Sequence, residues 1–260
     1  MQASEFIYEN IGTKYEADIN KSLYANDVGS GKGAGSGHGA DAVMIINKKQ
    51  YPVEIKAKNA RDFGQGTLDY NGKKWVAFAK DKDMQDQLNT LGAAKFANKV
   101  WKGITPKKAG KDPKELSYID THTDLENFEK ACQNRQCYQP LDFAQIAKYY
   151  NNKGIHYIHL GGRGLFQLGD KDPAKLKADK FIPTKPVQLR IRLKGGGRPP
   201  GFDLYKGIDL PGGSTILTGN YRFTTAFVSD PSSWPKASTK YSLDPADVDQ
   251  FKNFLQKAKS

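Results

Sequence analysis

Two carboxylates and one amine stand at a spacing suited to phosphoester chemistry: Gly39-Ala40-Asp41, then twelve residues, then Glu54-Ile55-Lys56. Side chains alternate faces along a strand, so Glu54 and Lys56 share one face while Val53, Ile55 and Ala57 take the other. The residues between hold two short apolar runs, Ala42–Ile46 and Tyr51–Ala57, joined by Asn47-Lys48-Lys49-Gln50, which predicts a hairpin. A turn between Asn47 and Gln50 sets Asp41 across from Glu54 or, one step on, from Lys56. Either register leaves it on their face. Carboxylate oxygens are what a hard Mg2+ ion takes as ligands, usually with water completing its octahedron. A metal held there would acidify a bound water and offset charge on a phosphorane-like transition state, and Lys56 would orient the water or offset the same charge. It would also explain how two acids tolerate close approach. An isolated E-x-K pair is commonplace on solvated strands, so the spacing to Asp41 carries the inference.

The elements that must position these residues can be read around them. Glu5–Leu23 reads as one helix, or two broken near Gly12, with Tyr15, Ile19 and Leu23 on one stripe. Gly29–Gly39 is glycine-rich; Gly33 follows Gly31-Lys32 where a P-loop needs Ser or Thr, so nucleotide cradling is not indicated. A loop ordering against DNA, with Lys32 and His38 as contacts, fits as well as a plain connector. Trp75–Trp101 reads as one or two helices, Lys102–Lys114 as an exposed loop, and Asp124–Asn134 and Leu141–Asn151 as helices. Ile155–Leu160 and Leu165–Leu168 read as strands around a Gly-Gly-Arg-Gly turn, followed by strands at Val187–Lys194 and Asn220–Val228. Asp244-Pro245 reads as the cap and first position of a closing helix with Val248, Phe251 and Leu255 on one face. The expected organisation is an α/β N-terminal part, 1–110, and a strand-rich part with a closing helix, 111–260, two domains or one continuous core.

Lys and Arg outnumber Asp and Glu by 40 to 28 in 260 residues, a formal charge of +12. A polyanionic partner explains such a balance, because each neutralised phosphate releases a counterion. In Val187–Lys194, Gln188, Arg190, Arg192 and Lys194 alternate with four apolar residues, which predicts a strand with a basic outer face. Arg198 continues it in a Gly-Pro-rich loop, Arg163 marks a second hairpin tip, and Arg61 follows the E-x-K strand; these are the expected contacts to double-stranded DNA. No apolar stretch approaches the roughly 18 residues of a membrane span, and Met1–Asn10 lacks the pattern of a signal peptide, so a cytoplasmic protein without membrane contact is expected. There Cys132 and Cys137 read as free thiols. With His122, His156 and His159 they match no standard zinc-ligand spacing. No RNA-binding motif such as RNP1 is present.

In Ala40-Asp41 and Glu54-Ile-Lys56 the chain resembles the PD-(D/E)XK nucleases. Ala40 stands where that family usually has Pro. The run Glu54-Ile-Lys-Ala-Lys58 followed by Phe63-Gly-Gln65 resembles the HhaI-like type II restriction endonuclease branch and its phage-encoded relatives. The firm resemblance spans about residues 12–71. It implies an α/β (α+β) restriction-endonuclease-like fold, a mixed central sheet flanked by helices. It implies catalysis by Asp41, Glu54 and Lys56, with Asp41, Glu54 and Ile55 around Mg2+, for which Mn2+ would substitute. Glu16 matches the first-helix glutamate that reaches the metal through water in such enzymes, with Glu9 and Glu5 as weaker matches, and Gln65 matches the Gly-Gln pair. The implied activity is site-specific cleavage of double-stranded DNA by a monomer or homodimer. A homing, repair or phage genome-processing nuclease shares the same residues. A catalytically inactive DNA-binding module or a basic RNA-binding protein would instead leave the carboxylates as ion pairs.

Overall fold

The computed structural model describes residues 3–30, 40–71, 73–79, 82–103, 107–109, 116–118, 136–194 and 222–257. In chain order these form α1 (Ala3–Ala25), β1 (Ala42–Ile46), β2 (Lys49–Lys56), β3 (Asp62–Tyr70), β4 (Trp75–Phe78), α2 (Lys82–Thr90), α3 (Ala93–Val100), β5 (Lys107–Ala109) and β6 (Leu116–Tyr118). They continue through β7 (Gln136–Leu141), α4 (Phe143–Asn152), β8 (Tyr157–Leu160), β9 (Gly164–Gln167), β10 (Val187–Lys194), β11 (Arg222–Val228) and α5 (Val248–Lys257). The result is a mixed α+β protein with a four-stranded sheet, a five-stranded sheet and a small ribbon of β5 and β6. Two compact units interleave along the chain rather than falling either side of residue 110. One comprises Ile7–Arg61, Leu141–Val187 and Ser229–Ser260; the other comprises Met1–Phe6, Asp62–Pro140 and Gln188–Val228.

The first of these units holds the four-stranded sheet, ordered β1-β2-β8-β9. The β1–β2 hairpin pairs Ala42 with Val53 through to Ile46 with Lys49. Its two-residue turn, Asn47-Lys48, has positive φ at both positions, 52° and 64°, the backbone that matches the twist of paired strands. Beside it β2 runs parallel to β8, and β8 antiparallel to β9. A parallel partner requires a crossover, and α4 leads directly into β8, capped by Asp142, whose side chain accepts from Ala144 N at 2.9 Å. α1 is continuous through Gly12 and buries Ile19 and Leu23 of the predicted stripe. α5 buries Val248, Phe251 and Leu255 but begins three residues after the predicted start. Asp244 does not cap it. Its carboxylate instead accepts from Gly162 N at 3.0 Å and from the Tyr15 hydroxyl. Tyr15 also meets the fully buried His159 Nε2 at 2.9 Å, which ties α1 to β8.

The second unit holds the five-stranded sheet, ordered β4-β3-β11-β10-β7. Here the sequence expectations need correcting. Trp75–Phe78 forms a strand ahead of the two helices, and β3 was not foreseen. β3 carries Gly64 and Gly66 and has little intrinsic strand preference, but β11 and β4 pair with it on both sides and satisfy its backbone. Asn98 of α3 clamps β4, accepting from Trp75 N at 2.8 Å and donating to Trp75 O at 2.9 Å. β10 and β11 match the predicted strands. Arg190, expected on a solvated face, is 8% exposed, and its Nη2 pairs with Asp62 Oδ2 at 2.7 Å. The carboxylate that opens β3 makes that burial tolerable, because a paired and hydrogen-bonded guanidinium escapes most of the penalty. Cys137 is disulfide-bonded rather than a free thiol. The predicted helix Asp124–Asn134, Cys132 and His122 lie outside the described residues.

Candidate active site

The hairpin register decides where the acids stand. Ala42 pairs with Val53, so one step further along the strands Asp41 stands opposite Glu54, the first of the two predicted registers. Directly opposed residues share a face, and Lys56, two residues on, shares it too. Asp41 Oδ2 accepts the Ile55 N–H at 2.9 Å, which holds its carboxylate against the β2 backbone beside Glu54. Lys56 Nζ lies 2.6 Å from Glu54 Oε1, and both side chains are largely buried, 15% and 10% exposed. The Tyr150 hydroxyl of α4 donates to the same oxygen at 3.0 Å. Asn20, buried on α1, donates to the carbonyl of Asp41 at 2.9 Å and to that of Glu16 at 3.0 Å, linking helix and hairpin.

Glu16 completes an electrostatic cluster. Burial, then repulsion from Asp41, pushes its carboxyl up to about 7, while Lys56 pulls the other way. Glu54 is also raised, first by burial, against the pull of Lys56 and with Asp41 adding to the rise. For Lys56, burial favours losing the proton, but Glu54 and Asp41 outweigh it and hold the ammonium well above its ordinary value. The Tyr150 hydroxyl is raised by burial and then by Glu54 and Asp41, so it stays a donor.

With all acids ionised, three carboxylates face one ammonium, so the cluster carries a formal excess of two negative charges. Among the described residues the hydrogen bonds of Glu54 fall on Oε1 and that of Asp41 on Oδ2, leaving Oε2 and Oδ1 for a further partner. That donor set and charge fit a hard divalent cation. Among the described residues no three His, Cys, Asp or Glu side chains converge as a metal cage. Mg2+ is usually held by one or two carboxylates with water and substrate phosphate rather than by such a cage. Asp41 and Glu54, with the Ile55 carbonyl, are the residues that would hold it.

The other sequence candidates fall elsewhere. Gln65 is exposed on β3, in the five-stranded unit. Arg61 is exposed at the end of its unit, its carbonyl taken by Ser229 N at 2.9 Å. Arg163 is half-buried, with Nη2 3.5 Å from the Pro231 carbonyl. Arg190 is the buried partner of Asp62, Arg192 is half-buried, and Lys194 closes β10. Lys32, His38 and Arg198 lie outside the described residues, as do the side chains of Glu5 and Glu9. Tyr150 and Asn20 were not singled out from the sequence. Both sit on predicted helices, but nothing local distinguishes a tyrosine that meets Glu54, 96 residues away, from an ordinary core aromatic.

No described helix is long and apolar enough to cross a membrane. Comparison of the chain with protein-family models, with curated proteins and with solved structures gives no match.

Proposed function

We propose that this chain is a Mg2+-dependent endodeoxyribonuclease that hydrolyses phosphodiester bonds in double-stranded DNA. The observation that carries the reading is the cluster on β1 and β2: Asp41 opposite Glu54, with the Lys56 ammonium 2.6 Å from Glu54. A divalent cation held by Asp41, Glu54 and the Ile55 carbonyl would supply an acidified water and neutralise charge on the reacting phosphate. The chain's own groups divide the remaining work. Lys56 keeps its proton and acts as a fixed positive charge toward the phosphate and the attacking water, not as a base. Tyr150 fixes the orientation of Glu54. Glu16, with its carboxyl at about 7, is the member of the cluster able to accept a proton near neutrality. The excess of 40 basic over 28 acidic residues supports a polyanionic substrate.

The test is cleavage of supercoiled and linear DNA with Mg2+, with EDTA and Glu54→Ala as controls. Discrete fragments that vanish in both controls support a site-specific enzyme of restriction type, and nicking or smearing supports a repair or structure-directed one. Salt-dependent binding without any cleavage would replace this reading with that of a DNA-binding module.

A further inference from the structure

The five-stranded unit carries a cleft of about 600 Å³ that has no part in the cluster described above. It lies between α3 and β7, which stands at one edge of the sheet, and that volume is within the range of small-ligand sites. Phe96 of α3 and Tyr138 of β7 supply two aromatic rings, and Leu91 an apolar flank. Tyr138 is 47% exposed, unusual for so large a side chain, and its hydroxyl donates to Gln136 Oε1 at 2.9 Å, which limits how its ring can turn. Lys95 and Lys99 stand one helical turn apart on the rim, both exposed, and neither is ion-paired among the described residues. Gln139 adds an amide able to donate and accept. None of the described lining residues is acidic.

We propose that this cleft binds an unpaired nucleotide within a nucleic-acid strand, its base stacked on Tyr138 and Phe96 and its flanking phosphates met by Lys95 and Lys99. An exposed ring provides a face for any base, and lysines beside it track the backbone; together they are the recurring chemistry of single-strand binding. The apolar lining without the lysines would suit a peptide equally well. Two adjacent cations and no acid favour the polyanion. The proposal does not rest on the cleavage reading, because none of its residues belongs to the Asp41–Glu54–Lys56 cluster.

The experiment measures binding of fluorescein-labelled dT12 to the full chain by anisotropy, in EDTA, across a salt series. The variants are Lys95→Ala with Lys99→Ala, Tyr138→Ala and Tyr138→Phe, with thermal melting to establish that each is folded. The lysine pair is expected to weaken binding at least tenfold and to flatten the slope of log K against log salt by about 1.4, roughly 0.7 for each phosphate contact on a single strand. Tyr138→Ala is expected to cost about tenfold, the lower part of the range for base–aromatic stacking, while Tyr138→Phe keeps wild-type affinity. Competition by thymidine monophosphate at far higher concentration than dT12 would be consistent with a strand as the ligand. Equal competition by the two would overturn the strand assignment. Folded variants whose dT12 affinity stays within twofold of wild type would overturn the site. So would binding of an acidic peptide that Tyr138→Ala abolishes and that leaves dT12 binding unchanged, which would assign the surface to a protein partner.

Discussion

Glu16 couples the candidate site to pH. Its carboxyl rises to about 7 through burial and the nearby Asp41. A folded-state value above the unfolded one means that its contribution to stability is present below the unfolded value, about 4.5, and is lost as pH rises through about 7. In metal-free buffer, Glu16→Gln should therefore melt higher than wild type at pH 8 and converge with it at pH 4. The whole shift would correspond to about 3 kcal/mol at 1.36 kcal/mol per unit. Glu16 is only half-buried, so screening reduces the expected gain to about 1 kcal/mol. Matching curves at both pH values would remove Glu16 from the cluster. Lys56 gives the opposite sign. Lys56→Ala strands a buried carboxylate and should lose roughly 3 kcal/mol in urea denaturation. Asp41→Ala, Glu54→Ala and Lys56→Ala should each lower cleavage by about 10³-fold or more while DNA affinity stays near wild type. Normal cleavage by any one of them removes that residue from the centre.

At the scale of elements, the hairpin and the loop after β8 are what hold the site in register. Lys48 adopts a left-handed backbone at the turn, where an L side chain costs about 1 kcal/mol. Lys48→Gly should gain about that much in chemical denaturation, with cleavage unchanged. Gly161 is the contrary case. A Cβ there would lie 2.8 Å from Lys58 N and 2.9 Å from the Tyr15 hydroxyl, so Gly161→Ala must displace the strand end or α1. It should cost about 2 kcal/mol and reduce cleavage, because both neighbours lie beside residues of the cluster. A variant as stable and active as wild type would show that the loop is not a brace. The strands β1, β2, β8 and β9 were legible as short apolar runs set around turn residues, and the stripe of α1 by its helical periodicity. β3 and β4 were not: one is interrupted by glycines, the other leads straight into the helical stretch that ends at Trp101, and both depend on neighbours for their pairing.

For the molecule as a whole, a cation that binds only the folded chain must stabilise it. At a Mg2+ concentration 100 times its dissociation constant, stability should rise by about 2.7 kcal/mol at pH 7.5. The gain should vanish in Glu54→Gln and Asp41→Asn. A melting temperature indifferent to Mg2+ in the wild type would count against a divalent centre. The sequence alone determined that Asp41, Glu54 and Lys56 share one face and that a hairpin carries them, since two-residue alternation and the length of a turn are local properties of the chain. It also determined the basic balance, which is a sum over residues. Only the tertiary structure decided how those charges are used. Arg190 looks outward by alternation, yet Asp62, 128 residues away, receives it inside the sheet. Tyr150 and Asn20 join the site through folds of the chain that no local pattern records. Burial and ion pairing depend on partners remote in sequence, and their positions exist only once the sheets have assembled.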